Sequence, residues 1–123
     1  MSNSDSVTTV AQLKKLIGDF VAERDWSQFH SPKNVSMALA IEVAELMEHF
    51  QWLTTAASRR IADDPEKLTE VGEELADVVG YSLALANELG IDVSSAMRAK
   101  MIKNAQKYPA DEYRGRFGPE DKR

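Results

Sequence analysis

The fold of this chain is decided by residues 64–90, which read DPEKLTEVGEELADVVGYSLALANELG. Asp64 and Pro65 form a helix-start signal, because an aspartate caps free backbone N–H groups and proline suits the first helical turn. Gly90 is a typical helix stop. Between these signals the apolar residues point in several directions; they include Val78, Val79, Tyr81, Leu83, Leu85 and Leu89. The stretch therefore predicts one long helix, from Pro65 to Leu89, with several neighbours.

Two acidic pairs with the same spacing are the strongest chemical feature of the chain. Glu74 and Asp77 lie in the long helix, and Glu42 and Glu45 lie in an earlier helical stretch. A spacing of three places both members of a pair on one helix face. Apolar residues flank both pairs, and carboxylates are disfavoured on an apolar face unless a positive charge is close. Four converging carboxylates without intervening basic residues favour a magnesium site.

Three further helices are predicted from capping residues and apolar periodicity. Their expected ranges are about 10–24 after the Thr9–Gln12 capping box, 32–53 after Ser31, and 93–107 after Asp92. Residues 54–64 form a polar connection with room for a short helix, in which Arg59 and Arg60 are expected to face solvent. No alternating run of strand length is present, so we expect an all-α protein whose protomer is a four-helix bundle. The domain is expected to span 1–109, followed by a polar, loosely held tail at 110–123.

The composition argues against several classes of protein. The chain of 123 residues is sufficient for one domain. It has no cysteine, which excludes disulfides, thiolate zinc sites and thiol nucleophiles. A net charge of −5 argues against nucleic-acid binding. The polar N-terminus is unlike a signal peptide and no apolar run reaches about 18 residues, so we expect a cytoplasmic protein that does not cross a membrane.

The predicted helices carry more apolar surface than four helices of one chain can cover. The helix that follows Ser31 is apolar on nearly every side, from Val35 to Phe50. Apolar surface that remains uncovered in a chain of this kind usually forms a subunit interface. We therefore expect a homo-oligomer, either a dimer or a homotetramer built as a dimer of dimers.

Acidic helix pairs also build di-iron centres, in which a histidine follows a glutamate by three residues. Neither pair here has that histidine, because the third residue on is Glu45 in one pair and Asp77 in the other. His49 follows Glu45 by four residues, so it lies near the same face and could bind a metal weakly or hold a ligand in place. Hard oxygen ligands without cysteine suit magnesium better than zinc or copper.

Four blocks of the chain resemble the all-α nucleoside triphosphate pyrophosphohydrolases, the MazG-like group, and within it the dCTP pyrophosphatase branch. The resemblance spans residues 10 to 109, and its blocks occur in the same order as in that branch. The blocks are RDWSQFH at 24–30, FQW at 50–52, EELADV at 73–78 and KMIKNAQKYP at 100–109, with the two acidic pairs between and within them.

The resemblance implies a hydrolase that cuts nucleoside triphosphates between the α and β phosphates, releasing a monophosphate and pyrophosphate. Glu42, Glu45, Glu74 and Asp77 match the metal ligands of the family, with Mg²⁺ as cofactor and Mn²⁺ as a possible substitute. The metal would counter the phosphate charge and activate the attacking water. Glu45, and after it Glu42, are the candidates for the catalytic base.

The resemblance also implies a set of substrate-binding residues. Lys100, Asn104 and Tyr108 match positions that contact phosphate and sugar, and their spacing of four gives one helix stripe, which is also the pattern of a solvated face. Trp26, His30 and Trp52 match the base pocket, with Trp52 able to serve a neighbouring subunit, and Phe29 stays open. Tyr81 matches a tyrosine beside the metal. From the residues alone, these aromatic side chains could equally be packing residues.

Three functions follow from these observations. The first is hydrolysis of dCTP or modified cytosine nucleotides, which cleans the nucleotide pool. The second is the same reaction on dUTP, on deoxynucleotides broadly or on phosphoribosyl-ATP. The third is a non-catalytic helical oligomer whose acids are solvated. A comparison of substrates distinguishes the first two functions, because the shape of the pocket selects the base of the nucleotide.

Overall fold

The computed structural model describes residues 3–118, and every regular element in this range is helical. The long helices are α1 (Val10–Glu23), α2 (Pro32–Glu48), α4 (Pro65–Leu89) and α5 (Val93–Lys107), and the short ones are α3 (Thr55–Arg59) and α6 (Ala110–Tyr113). Two 3₁₀ turns, Ser27–Phe29 and Arg60–Asp63, connect them. The predicted all-α class and the four predicted long helices are confirmed.

Each long helix begins at the capping residue that the sequence predicts. Before α1, the Gln12 N–H donates to Thr9 Oγ1 at 3.1 Å and the Thr9 N–H donates to Gln12 Oε1 at 2.7 Å. Ser31, Asp64 and Asp92 each accept a bond from the N–H three residues on, at 3.1, 3.2 and 3.0 Å. Gly90 ends α4 at a φ of +65°, a left-handed conformation that favours glycine.

The predicted end of α2, at about Leu53, is wrong by five residues. The helix ends at Glu48, and a turn follows in which the Phe50 N–H bonds Met47 O at 3.0 Å and the Leu53 N–H bonds Phe50 O at 2.9 Å. Bonds to the third residue back are typical of a tightened turn. Apolar residues continue through this turn, so their periodicity did not mark the end of the helix.

Residues up to Ile91 form one compact unit in which α4 packs against both α1 and α2. The buried apolar residues of the described chain all lie on these three helices: Val21, Val35, Leu83, Ala84 and Ala86. Two long-range hydrogen bonds hold α1 to the end of α4: Lys14 Nζ donates to Ile91 O at 2.8 Å, and Asn87 Nδ2 donates to Lys14 O at 2.9 Å. The helix α4 is therefore the central element of this unit.

Residues from Asp92 onward form a second unit, which contains α5 and α6. Tyr108, the first residue after α5, packs edge-on against Tyr113 of α6 with ring centroids 5.2 Å apart. The tail expected at 110–123 thus begins with a short helix, and residues 119–123 lie outside the described residues.

Much apolar surface of α2 and α4 is exposed in the single chain. Met37 and Ile41, one turn apart on α2, are 56% and 59% exposed, and Leu75 and Val79 on α4 are also exposed. Although α2 is apolar on nearly every side, Val35 is its only buried residue within one chain. Within residues 3–118, no helix has both the length and the apolar character needed to cross a bilayer.

Candidate functional site

The packing of α2 on α4 brings three of the four predicted acids together. Glu42 and Glu45 come from α2 and Glu74 comes from α4, and each offers one carboxylate oxygen such that all three atoms lie within 4.8 Å of one another. We call these residues the carboxylate cluster. Like charges at this distance repel unless a proton or a cation is shared between them.

Two oxygens of the carboxylate cluster are buried without a hydrogen-bond partner in the described structure, Glu42 Oε2 and Glu74 Oε2. A buried carboxylate oxygen that lacks a donor is energetically costly, and natural structures contain few of them. A divalent cation satisfies such oxygens directly, and oxygen-only ligands suit magnesium and manganese. The donor set of the cluster therefore fits a divalent cation.

The electrostatics of the carboxylate cluster agree with this geometry. Burial raises the pKa of the Glu42 carboxyl above its ordinary value, and the neighbouring carboxylates, Glu45 foremost, raise it further. Burial likewise raises the pKa of Glu74, again with Glu45 as its strongest neighbour. Each raised pKa reports that the site disfavours negative charge when no cation is bound.

Asp77 and His49 lie near the carboxylate cluster without belonging to it. Asp77 is not among the three acids that converge within 4.8 Å. Its charge nevertheless raises the pKa of both Glu42 and Glu74, and its side chain lines a neighbouring cavity. His49, the residue directly after α2, is half-buried. Its effect is opposite to that of Asp77, because it lowers the pKa of Glu74.

A cavity of about 380 Å³ lies beside Asp77, between α1 and α4. Its walls include Phe20, Trp26, His30, Asp77, Gly80 and Tyr81. A second cavity of about 290 Å³ shares Trp26, His30 and Tyr81 with the first and adds Phe29 and Asn34. Aromatic rings line much of both cavities, and Asp77 lies in the wall of the larger one. A ligand with a flat ring could stack in these cavities while a charged group of the same ligand lies beside the acids.

The aromatic side chains around the cavity contact one another. The rings of His30 and Tyr81 are stacked, with centroids 6.5 Å apart and an angle of 29° between their planes. Trp26 meets Phe20 edge-on at 5.7 Å. Two of the three predicted base-pocket residues, Trp26 and His30, thus lie in one cavity together with Tyr81.

The loop that carries Trp26 and His30 is held by local hydrogen bonds. Asp25 adopts a φ of +51°, which reverses the chain after α1, and Gln28 Nε2 donates to Asp25 O at 3.0 Å. From the other side, Asn34 Nδ2 donates to Phe29 O at 3.2 Å. These bonds orient the loop before any ligand binds.

The remaining predicted site residues are neither in the carboxylate cluster nor among the residues that line the two cavities. Trp52 is 87% exposed and lines neither of the two cavities. Lys100 and Asn104 lie one turn apart on α5, in the second unit, where Lys100 is exposed and Asn104 half-buried. Tyr108 follows the last residue of α5 and no longer has helical backbone angles, so the predicted stripe ends before it.

Phe20 and Gly80 were not identified from the sequence as site residues, although both line the larger cavity. Phe20 fits the apolar periodicity of α1, which predicts a packing role. Gly80 looks like an ordinary glycine within a helix. Their role depends on how α1 meets α4, so no local signal distinguishes them.

Comparison with known proteins gives a consistent picture. The sequence model of the MazG-like family matches residues 37–116. Rat dCTP pyrophosphatase 1 (Rattus norvegicus) is 42% identical over 107 residues, which is 87% of this chain and 63% of the rat protein. The human protein of the same name (Homo sapiens) is 41% identical over 102 residues, 83% of this chain and 60% of its own length. The chain thus spans less than two thirds of these curated relatives.

A solved structure agrees with both the fold and the sequence relationship. The crystal structure of a pyrophosphatase from Archaeoglobus fulgidus aligns with a TM-score of 0.72 at 36% identity, covering 80% of this chain and 91% of the archaeal one. The match of the family model covers more than half of the chain, and it includes both acidic pairs. The chain therefore belongs to the MazG-like family.

Proposed function

We propose that this chain hydrolyses nucleoside triphosphates to a monophosphate and pyrophosphate with the help of Mg²⁺, and that it prefers dCTP or modified cytosine nucleotides, which it removes from the nucleotide pool. The observation that carries this proposal is the carboxylate cluster, with its two unpartnered buried oxygens, lying next to an aromatic cavity. The similarity to proteins named dCTP pyrophosphatase 1 supports the reaction and the base.

The metal ligands in this proposal are Glu42, Glu45, Glu74 and Asp77. Glu42 and Glu74 would hold the ion with the oxygens that otherwise lack a partner. Asp77 lines the cavity and its charge acts on both Glu42 and Glu74, so its carboxylate would be the fourth ligand. When bound, Mg²⁺ supplies positive charge against the triphosphate and makes a water molecule easier to deprotonate, and Mn²⁺ can replace it.

The chain's own residues then direct the reaction. Glu45 is proposed to accept the proton from the attacking water, with Glu42 as the second candidate, because both carboxylates belong to the cluster beside which that water would bind. The water oxygen forms a bond to the α phosphorus as the bond from that phosphorus to the bridging oxygen breaks. Pyrophosphate leaves with the electron pair of the broken bond.

The base of the nucleotide binds in the cavity, stacked against Trp26, His30 or Tyr81. Aromatic rings bind nucleobases by stacking without base pairing. Water excluded from the cavity also strengthens the electrostatic interactions beside it. This arrangement explains why an acidic chain can bind an anion, since the cation at the cluster reverses the local charge.

Lys100, Asn104 and Tyr108 are proposed to contact the phosphates and the sugar. Their unit is basic, with eight lysine and arginine residues against five acidic ones from residue 92 onward, whereas residues 1–91 carry seven basic and fifteen acidic residues. An ammonium group suits a phosphate oxygen, and an asparagine can bond a sugar hydroxyl.

The exposed apolar faces of α2 and α4 support a homo-oligomer, a dimer or a tetramer. Met37, Ile41 and Met47 are the most exposed large apolar residues of α2. In such an assembly Trp52, which is almost fully exposed in one chain, is proposed to reach the base pocket of a neighbouring subunit. The protein is expected to act in the cytoplasm, with neither nucleic acid nor membrane as a partner.

The test is a product assay with dCTP, dTTP, dUTP, dATP and dGTP in Mg²⁺ and water enriched in ¹⁸O. Monophosphate and pyrophosphate should form, with the label in the monophosphate, because water attacks the α phosphorus. We expect dCTP to react fastest. Preference for dUTP, or similar rates with all five nucleotides, would favour a dUTP or broad deoxynucleotide pyrophosphohydrolase instead. Turnover of phosphoribosyl-ATP, but of none of the five, would favour a phosphoribosyl-ATP pyrophosphohydrolase.

Two glutamine variants on α2 provide the matched control. Glu42→Gln removes a member of the cluster and should lose nearly all activity, whereas Glu48→Gln changes an exposed acid of the same helix and should leave it intact. Equal activity in both variants would favour the non-catalytic oligomer. Diphosphate and phosphate as products would contradict the proposed mechanism.

A further inference from the structure

Gly80 occupies an unusual place in the larger cavity. It lies in α4 one turn after Asp77. A Cβ atom added to Gly80 would lie 3.5 Å from Ile17 Cδ1 on α1, which is ordinary van der Waals contact. The gap between Gly80 and Ile17 is therefore wide enough for about one methyl group, and it opens into the cavity that both residues line.

Nothing in the backbone requires a glycine at this position. Gly80 lies within α4 and is not among the residues with positive φ. A glycine within a helix is destabilising relative to alanine, because it loses more conformational freedom on folding. An alanine at this position would fill the free space beside Ile17.

We propose that Gly80 is a specificity-determining residue, whose recess opposite Ile17 receives an apolar substituent on the ring of the nucleotide base and so sets the largest base that the cavity accepts. This inference rests on the proposed function and goes beyond it, because it assigns the size limit to one contact. The lining chemistry supports it: Ile17, Val21 and Ala84 present only apolar side chains to the cavity.

The test compares cytosine nucleotides that differ only at ring position 5, with hydrogen, methyl or propynyl. For each triphosphate kcat/KM is measured, and for each monophosphate the dissociation constant is measured by calorimetry, which does not depend on turnover. Gly80→Ala should lower kcat/KM and affinity for the 5-methyl compound by about tenfold or more relative to the unsubstituted one, since a single methyl-sized misfit in an apolar pocket has an effect of this size.

Gly72→Ala is the matched control. Gly72 lies on the same helix, and a Cβ there would meet nothing within 4 Å. Both variants should raise the unfolding temperature through the helix propensity of alanine, but only Gly80→Ala should change the ratio between the substituted and unsubstituted compounds. This comparison separates a helix effect from loss of the recess.

Ile17→Val gives a second, independent readout. This variant removes the Cδ1 atom that faces Gly80, so it should widen the recess and restore binding and turnover of the 5-methyl compound in the Gly80→Ala background. A uniform change across all three compounds, or no rescue by Ile17→Val, would overturn the inference. If the wild type bound these monophosphates with the expected size dependence but hydrolysed no triphosphate, the proposed function would fail while the assignment of Gly80 stood.

Discussion

The two halves of α4 differ in how well their apolar side chains are buried and their polar side chains are hydrogen-bonded. The C-terminal half contains the buried residues Leu83, Ala84 and Ala86, and the side chain of Asn87 donates a hydrogen bond to α1. The N-terminal half contains Glu74, with a buried oxygen that has no partner in the described structure. The C-terminal half stabilises the unit, while the N-terminal half carries the proposed metal ligand Glu74, whose unpartnered oxygen costs stability.

The largest effect is expected for Glu74→Gln in the N-terminal half. Loss of one metal-binding carboxylate should lower kcat/KM by about 10³-fold or more, because metal binding and charge stabilisation are worth several kcal/mol. Steady-state kinetics with dCTP and Mg²⁺ measure this. Glu73→Gln, at the neighbouring exposed acid, should stay within about twofold of wild type. Similar kinetics in both variants would contradict a role for Glu74 in the reaction.

The second effect concerns the stability of the C-terminal half. Leu83→Ala should lower the free energy of unfolding by about 2–4 kcal/mol, because it leaves a cavity in the core. Leu75→Ala, in the exposed part of the same helix, should lower it by less than about 1 kcal/mol. Urea unfolding at several protein concentrations separates any contribution of subunit contacts. Equal losses would contradict the assignment of stability to the C-terminal half.

The third effect links the carboxylate cluster to pH. The pKa values of Glu42 and Glu74 are raised in the folded protein above the ordinary value of 4.5. A raised pKa contributes stability that is complete below the unfolded value and is lost as pH rises through the folded value. In EDTA the unfolding temperature should therefore fall as pH rises from below 4.5 towards neutrality.

Two changes should reduce this loss of stability. Mg²⁺ at neutral pH should restore the unfolding temperature of the wild type, because the ion binds the folded state. Glu74→Gln in EDTA should raise it by a few degrees at neutral pH and flatten its pH dependence, because one repelling charge is gone. An unfolding temperature that rose with pH in EDTA would contradict the prediction that repulsion among these carboxylates destabilises the folded protein.

The smallest effect is expected for Asn87→Ala. The variant loses the bond from Asn87 Nδ2 to Lys14 O and should lower the free energy of unfolding by about 1 kcal/mol or less, as for a typical hydrogen bond at the surface. The kcat and KM values should not change, because Asn87 lines neither cavity. A clear change in KM would show that the two halves of α4 are coupled.

The starts of the long helices were predictable because capping is local. Thr9, Ser31, Asp64 and Asp92 bond backbone groups three residues away, so their signal is contained in a few consecutive letters. The end of α2 was predicted wrongly because no glycine or proline marks it, and the residue that caps it is His49. Its apolar residues continue into a turn, and the periodicity carries no information about where the helical hydrogen bonds stop.

The candidate site divides in the same way. The pairing of Glu42 with Glu45 follows from helix spacing, and the long helix that carries Glu74 follows from its two end signals. The approach of Glu74 to the other two acids depends on how α2 packs against α4. Whether Asp77 joins the three-acid group likewise depends on side-chain placement, which spacing along a helix does not specify.

The sequence by itself determined the all-α class, the long helices and the residue types that suit a divalent cation, because caps, periodicity and carboxylate chemistry are properties of neighbouring residues. Only the tertiary structure decided which acids converge and that Gly80 leaves a gap opposite Ile17. The physical reason is that these distances arise between helices that are far apart along the chain, where close packing sets the geometry.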